Sequence, residues 1–353
     1  MSMLRFLNLA ARGAVSNFKL LKFPYKLTFA VTYRCNARCS ICSIWRHPSR
    51  NELTLEEIEK FAKNSKFRWI NLTGGEPFIR EDLFEIIKSF EKHTHPYLIN
   101  CTTNGYLTPR ILECVESVLK KLSIPRLILV VSIDAPRELH NKLRGIKVWD
   151  NATSTFKELR KLSKIYKNFS TYVGFTLSQL NFGRLEETFH SLKSLIPDLS
   201  PEEFHVNFVH LSDVYYKNTG LKIPKDFKIR AYQEIRNFWK KRGKKYFNIV
   251  DFLERRYIDL LERYLKTGKT PLPCKALNSS IFIDAEGNVY PCTIFNKKLA
   301  NLREIDYDIK KMWNSKEANE VRKLIKQNKC PQCWTPCEAY QTIVGNIWKQ
   351  IRF

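Results

Sequence analysis

In the middle of the chain, short hydrophobic runs alternate with segments whose apolar residues recur at helical spacing. This alternation predicts strands and helices in regular succession. Short runs rich in β-branched and aromatic residues predict strands over residues 27–31, 69–72, 97–102, 127–133, 171–177 and 204–208. Apolar residues at three- and four-residue spacing predict helices between them, over residues 80–92, 109–121, 149–165 and 184–195. Thr54 and Glu57 form a capping-box pattern for a further helix that runs toward Lys63. Six such units indicate an α/β fold, with a parallel sheet and helices outside it.

The segments on either side of these units differ from them. Residues 1–26 contain no acid, and the apolar positions at helical spacing are Leu4, Leu7, Ala11, Ala14, Phe18 and Leu21, with Arg5, Arg12 and Lys19 beside them. This pattern predicts a basic amphipathic helix. Three interpretations stay open: packing on the domain surface, attachment to anionic lipid headgroups, or a transit peptide. After the sixth strand, two polar helices are predicted over residues 226–242 and 251–266, with a basic run at Lys240, Lys241, Arg242, Lys244 and Lys245.

Composition narrows the class of protein. The 353 residues are 44% hydrophobic and 13% aromatic, enough for a substantial core. With 60 Lys and Arg against 35 Asp and Glu, the net charge of +25 is compatible with acidic substrates, nucleic acid or anionic lipid. The clean apolar run at residues 127–131 is far shorter than the roughly 20 residues of a membrane-spanning helix. We therefore expect no integral membrane protein and no secretory leader, and a cytoplasmic protein with possible peripheral membrane contact.

The ten cysteines are grouped, which favours metal or cluster ligation over disulfides in a chain of this size. Three thiols, Cys35, Cys39 and Cys42, fall within eight residues just after the first predicted strand. A four-iron cluster on three ligands would keep one iron open to a small molecule that offers an amine and a carboxylate. Zinc with His47 is the alternative, although structural zinc sites usually have four protein ligands. Cys101 and Cys114 are interpreted as small hydrophobic residues.

The loop Cys35-x3-Cys39-x2-Cys42 resembles the signature of the radical S-adenosylmethionine (SAM) enzymes. Several motifs after later strands resemble other parts of the same family. They are Gly74-Gly75-Glu76-Pro77 after the second strand, Asn104 after the third, Ser132 and the downstream Arg144 around the fourth, and Thr176 at the fifth. One departure is Ile41, where the family often has an aromatic residue before the third cysteine.

This resemblance implies a partial six-stranded (β/α)6 TIM-like barrel. It implies a 4Fe-4S cluster on Cys35, Cys39 and Cys42, with SAM on the open iron. The motif residues Gly74, Gly75, Glu76, Pro77, Asn104, Ser132, Arg144 and Thr176 would hold SAM. The implied chemistry is reductive cleavage of SAM to a 5′-deoxyadenosyl radical that abstracts hydrogen, with the electron coming from a low-potential donor such as ferredoxin or flavodoxin.

A second cysteine group near the C-terminus resembles the SPASM extension, or its shorter twitch form, which binds auxiliary iron–sulfur clusters. Its members are Cys274, Cys292, Cys330, Cys333 and Cys337. One cluster takes four thiolates, so we expect one auxiliary cluster on the first four, with Cys337 an alternative or spare ligand. A zinc ribbon is the other interpretation. The expected domains are residues 1–26 (N-terminal helix), 27–225 (barrel), 226–269 (helical connector) and 270–353 (cysteine-rich module).

The resemblance favours hydrogen abstraction from a peptide, a small metabolite or a cofactor precursor. The same chemistry on a membrane lipid is the alternative, motivated by the acid-free N-terminal segment. RNA modification, motivated by the net charge and the basic run, is the weaker alternative because no RNA-binding module is recognised. Outside this class, the chain would be a non-catalytic iron–sulfur or zinc protein.

Overall fold

The sheet predicted from the sequence is present in the computed structural model, which describes residues 2–48, 50–242 and 249–350. Its six parallel strands are β1 (Lys26–Thr32), β2 (Trp69–Gly74), β3 (Leu98–Thr103), β4 (Arg126–Ser132), β5 (Phe169–Leu177) and β6 (Phe204–Phe208). Each pairs with the next in sequence, so the strands follow one another around a partial barrel. The sheet does not close on itself, in agreement with the expected partial (β/α)6 barrel.

Helices cover the outer face of the sheet, and most lie where the periodicity predicts them. They are α2 (Leu55–Lys63), α3 (Leu83–Thr94), α4 (Thr108–Lys121), α5 (Arg137–Arg144), α6 (Trp149–Ile165) and α7 (Leu185–Leu195). The capping box of Thr54 and Glu57 is formed. Helix α3 begins at Leu83, later than the predicted start at residue 80. Arg80 lies outside the helix, and its guanidinium donates to the carbonyls of Val31 and Leu53.

The C-terminal residues extend the barrel sheet rather than forming a separate layer. Strand β7 (Ser280–Ile283) pairs in parallel with β1, and β8 (Asn288–Tyr290) and β9 (Ala300–Asn301) continue the sheet in antiparallel fashion. Strands β7 and β8 form a hairpin between Cys274 and Cys292. The other elements of this part of the chain are α8 (Lys225–Trp239), α9 (Ile249–Thr267), α10 (Lys310–Trp313), α11 (Lys316–Lys326), α12 (Pro336–Val344) and α13 (Ile347–Gln350).

The N-terminal helix differs from its prediction in length and in orientation. Helix α1 (Ser2–Val15) ends before Phe18 and Leu21, and it crosses the amino ends of the barrel strands. Arg5 faces the barrel and donates to the carbonyl of Ser123, whereas Leu4 is 71% exposed. Helix α1 therefore packs on the domain surface, where Phe6 contacts Tyr97, but Leu4 of its apolar stripe faces outward. Arg5 satisfies the carbonyls of Pro96 and Ser123, which precede strands β3 and β4. Met3, Leu4 and Leu7 are turned outward.

The basic run between α8 and α9 is not one solvated patch. Arg242 is buried, donates to Glu254 at 2.8 Å and lies over the Trp239 ring. Lys240 and Lys241 are exposed, and Lys244 and Lys245 lie outside the described residues. Among the helices of the described residues, we find none whose length and hydrophobicity would let it span a bilayer.

Aromatic residues join the cysteine-rich module to the barrel and to α9. Trp334 is 1% exposed, stacks on Tyr257 of α9 and donates its indole N–H to the Tyr257 carbonyl at 2.9 Å. Tyr340 stacks on Trp69 at the start of β2. Cys101 is buried as expected, while Cys114 is only partly buried.

We expect Trp334→Ala to lower the free energy of unfolding by about 3–5 kcal/mol, because it opens a cavity and removes the indole hydrogen bond to Tyr257. Urea unfolding followed by far-UV circular dichroism measures this loss. Ile229→Ala is the control, since Ile229 is 51% exposed and its truncation should change stability by less than about 0.5 kcal/mol. Equal midpoints for the two variants would contradict the joining role of Trp334.

Candidate active site at the carboxyl ends of the strands

Three thiols meet a single cavity at the carboxyl end of β1. Cys35, Cys39 and Cys42 all line this cavity, whose volume is about 570 Å³. Burial raises the pKa of Cys35 to about 11 and that of Cys42 to about 12. Buried neutral thiols of this kind lose their protons when they bind a metal centre as thiolates. The loop therefore fits an iron–sulfur cluster.

Helix α5, which the sequence did not predict, holds the cysteine loop in place. The backbone N–H of Arg38 donates to the carbonyl of Arg144 at 2.8 Å, and that of Ser40 donates to Leu143 at 2.8 Å. Arg144 also donates from its guanidinium to the Cys39 sulfur at 3.7 Å. The Arg144 position predicted from the sequence thus lies directly against the thiols.

Asp134 organises this part of the site, and the sequence analysis did not single it out. One carboxylate oxygen is paired with Arg144, and the other accepts from the backbone N–H of Thr176 at 2.8 Å. The backbone N–H of Asp134 donates to His140, which fixes the end of β4 against α5. Its place directly after Ser132-Ile133, at a strand's carboxyl end, is the signal that could have identified it.

The two glycines after β2 allow close approach of two backbone segments. A Cβ on Gly74, whose φ is +135°, would lie 2.2 Å from the Thr32 carbonyl oxygen, and one on Gly75 would lie 2.1 Å from that of Arg34. Their backbone therefore packs against the start of the cysteine loop. Both glycines also line the cavity.

Glu76 is a buried carboxyl group at the cavity wall. It accepts hydrogen bonds from the Thr103 hydroxyl at 2.8 Å and from the Asn104 N–H at 2.7 Å. Burial raises its pKa to about 7, and these hydrogen bonds offset only part of that effect. Pro77 begins a buried 3-10 turn and is not among the residues that line the cavity.

The remaining predicted positions also reach this cavity. Asn104, Ser132 and Thr176 line it, and the Asn104 amide donates to Asn36 inside the cysteine loop at 2.7 Å. The structure therefore brings all but Pro77 of the residues predicted to hold SAM to the same cavity as the three thiols.

Four of the five C-terminal cysteines lie close to one another. Burial raises the pKa of Cys333, and the neighbouring thiols of Cys274 and Cys330 raise it further. Burial likewise raises the pKa of Cys292, with additional effects from Cys333 and Cys274. These four thiols form the auxiliary cysteine group.

Cys337 lies apart from that group, on the wall of the main cavity. The Asn71 amide faces its sulfur at 3.9 Å, and Lys26 donates to its carbonyl oxygen. Within residues 2–48, 50–242 and 249–350, no set of three cysteine, histidine or carboxylate groups is placed to hold a single metal ion.

The sequence matches two families that correspond to the two cysteine groups. Residues 29–192 match the Radical SAM superfamily, and residues 274–338 match SPASM, described as an iron-sulfur cluster-binding domain. The chain contains a radical SAM domain followed by a SPASM domain. This radical SAM enzyme has a 4Fe-4S cluster and SAM as cofactors, and its SPASM domain implies auxiliary iron–sulfur clusters. The resemblance identified from the cysteine motifs is therefore confirmed.

Two curated relatives align with most of this chain. The antilisterial bacteriocin subtilosin biosynthesis protein AlbA of Bacillus subtilis is 25% identical over 92% of this chain and 69% of its own. GTP 3′,8-cyclase of Aquifex aeolicus is 27% identical over 88% of this chain and 96% of its own. One name refers to bacteriocin biosynthesis and the other to a GTP cyclase, so the two relatives do not indicate a common substrate.

Solved structures share the fold. SuiB of Streptococcus suis bound to S-adenosylmethionine has a TM-score of 0.59 at 17% identity, covering 86% of this chain and 68% of that chain. Native anSMEcpe with bound AdoMet and the Cp18Cys peptide has a TM-score of 0.59 at 16% identity, covering 93% of this chain and 98% of that chain.

Proposed function

We propose that this radical SAM enzyme cleaves SAM against a cluster on Cys35, Cys39 and Cys42 and abstracts hydrogen from an organic substrate inside the barrel. The observation that carries the proposal is the single cavity shared by these thiols and the interior of the sheet. When bound, the cluster and SAM supply the electron and the radical, with a donor such as ferredoxin or flavodoxin as the external reductant.

The chain's own residues position the cofactor and keep water away. The pairing of Asp134 with Arg144 keeps the guanidinium next to Cys39, where it favours an anionic group. Glu76 offers a carboxylate for an ammonium group, such as the amino group of SAM. Gly74 and Gly75 bring the end of β2 against the cysteine loop, which leaves little room for solvent between them.

Polar side chains inside the barrel provide a place for the reacting part of a substrate. Asn100 accepts from the Trp69 indole at 2.8 Å and donates to Asn71 at 2.5 Å. All three residues line the cavity, as do Lys26 and Cys337. This interior group is where we place the substrate's polar end.

A peptide substrate is one candidate class, and it is supported by relatives rather than by the cavity. AlbA is named for the biosynthesis of a bacteriocin, and SuiB has been solved with its precursor peptide SuiA. A metabolite or cofactor precursor is supported in the same way by the GTP 3′,8-cyclase relative. The part of the cavity at the amino ends of the strands has apolar lining residues, and it favours a substrate with a long apolar part.

The test of the proposed function is formation of 5′-deoxyadenosine. Anaerobically reconstituted full-length protein, reduced with dithionite and supplied with SAM, should yield 5′-deoxyadenosine by liquid chromatography. Absence of this product from protein that carries its full iron content would overturn the proposed function.

The proposed contact of Glu76 with the SAM amino group makes a prediction about pH. Because its pKa is raised to about 7, the carboxyl group of the SAM-free enzyme becomes neutral as the pH falls through that value, and it then attracts an ammonium group less. SAM should therefore bind more weakly below pH 7 than above it, and Glu76→Gln should remove this dependence. Anaerobic equilibrium dialysis across a pH series measures it. Glu81→Gln is the control, since Glu81 is 87% exposed; identical profiles for wild type and Glu76→Gln would refute the contact.

A further inference from the structure

The cavity runs the length of the barrel and, at the end opposite the thiols, is lined by the exposed side chains of Phe6 and Phe252. Its lower mouth, at the amino ends of the strands, is lined by Phe6, Ala10, Ala14, Phe252, Val344 and Ile347. These residues come from α1, α9 and the C-terminal helices, and all are apolar. A closed eight-stranded barrel fills this interior with side chains, whereas here the cavity continues from the apolar mouth to the polar side chains of Asn71 and Asn100 and on toward the catalytic end.

Helix α1 connects the lower mouth to an apolar surface. Met3, Leu7, Ala10 and Ala14 fall at helical spacing and form one stripe. Ala10 and Ala14 line the cavity, while Met3 and Leu7 are 67% and 53% exposed. The stripe therefore passes without interruption from the cavity wall to the outside of the protein.

Other large apolar side chains are exposed around the same end of the molecule. Leu4 lies on α1, Phe18 follows that helix and contacts Trp348 of α13, and Phe252 lies on α9. Exposed apolar patches of this kind mark interaction sites rather than ordinary surface. We call Met3, Leu4, Leu7, Phe18, Trp348 and Phe252 the lower apolar face.

A cationic hollow lies on the other side of α1. It has a volume of about 540 Å³ and is lined in part by Arg12, Lys22, Lys66 and Lys310, with no carboxylate among its described lining residues. Arg12 is itself partly buried, and burial lowers its pKa. An apolar face beside a cluster of cations matches the acyl region and the anionic headgroups of a lipid surface.

We propose that the lower apolar face and the cationic hollow dock this enzyme on an anionic lipid surface, from which an amphiphilic substrate enters the lower mouth with its hydrocarbon chain in the cavity. This inference rests on the proposed function, because it names the substrate class for the same cavity. The polar group at Asn71 and Asn100 then receives the end of the substrate that reacts.

The charge around the apolar face favours lipid over a second copy of the chain. The chain carries a net charge of +25, and its first 26 residues hold five cations and no acid, so two copies would bring like charges together at this end. A hydrophobic peptide would account for the apolar mouth but not for the cationic hollow. A second copy in place of lipid is an outcome of the test.

Flotation of the full-length protein with vesicles tests the docking. Phosphatidylcholine vesicles with and without phosphatidylglycerol are used, at low and at high salt. Wild type should float with the anionic vesicles at low salt. Leu4→Gln with Leu7→Gln should weaken binding on the order of tenfold, and Lys22→Gln with Lys66→Gln and Lys310→Gln on the order of a hundredfold.

Matched variants control for apolar area and for charge. Ile229→Gln replaces an apolar residue that is 51% exposed on α8, and Lys88→Gln with Lys157→Gln and Lys193→Gln removes three exposed cations from α3, α6 and α7. Both should float like wild type. Circular dichroism and the thermal midpoint of each variant identify any loss of fold.

The entry route is tested with cis-parinaric acid, a fluorescent fatty acid. Wild type should bind it, and Ala14→Trp, which fills the lower mouth, should bind it at least about tenfold more weakly. Wild type that fails to float, or docking variants that float like their controls, would overturn the proposal. So would a dimer in light scattering that Leu4→Gln with Leu7→Gln dissociates. Formation of 5′-deoxyadenosine by wild type without vesicles tests the proposed function separately, so the two failures are distinguishable.

Discussion

Replacing Cys39 with alanine should abolish formation of 5′-deoxyadenosine and remove about four irons per chain. Cys39 belongs to the loop that α5 holds in place, and its sulfur accepts the contact from Arg144. With only two thiols left on the loop, a four-iron cluster loses the support it needs. Chromatography of reduced, SAM-treated protein measures the product, and colorimetric iron analysis measures the loss of cluster.

Cys114→Ala is the matched control for this substitution. Cys114 is a partly buried thiol on α4 and does not line the cavity. Its removal should leave both the iron content and the formation of 5′-deoxyadenosine as in wild type. A Cys39→Ala protein that still cleaves SAM would show that the three-cysteine assignment is incorrect.

Replacing Cys333 with alanine should remove about four of about eight irons, whereas Cys337→Ala should keep all of them. Cys333 lies among the thiols of Cys274 and Cys330, while Cys337 lies on the main cavity near Lys26 and Asn71. Iron counting together with electron paramagnetic resonance of the reduced proteins distinguishes the two variants. The opposite result, with iron lost only from Cys337→Ala, would place Cys337 among the auxiliary ligands.

The sequence was most informative where the chemistry is local. The cysteine loop, Gly74-Gly75-Glu76 and Arg144 are read from short motifs, and the structure places them around one cavity. The capping box at Thr54 and the strand positions are equally local, because each depends on a few neighbouring residues. The same reading left the choice between Cys337 and its neighbours open, since that depends on how distant segments pack.

The features that were missed depend on contacts between distant parts of the chain. Helix α5 spans only eight mostly polar residues, of which His140 and Leu143 are buried, so its apolar pattern is too short to identify a helix. The orientation of α1 depends on the hydrogen bond from Arg5 to the carbonyl of Ser123, more than a hundred residues away. An amphipathic pattern predicts a helix but not which side faces the protein, because an arginine such as Arg5 faces inward when backbone carbonyls accept its hydrogen bonds.

The position of strand β1 in the sheet affects how the protein can be truncated and expressed. It is central in the sheet, with β2 on one edge and β7 on the other, yet β7 is synthesised only after the whole barrel. Until then the nascent chain presents an unpaired strand edge, a template for association with other chains. A shortened protein that ends before Ser280 would keep that edge permanently, so the barrel should not be expressed without its C-terminal module.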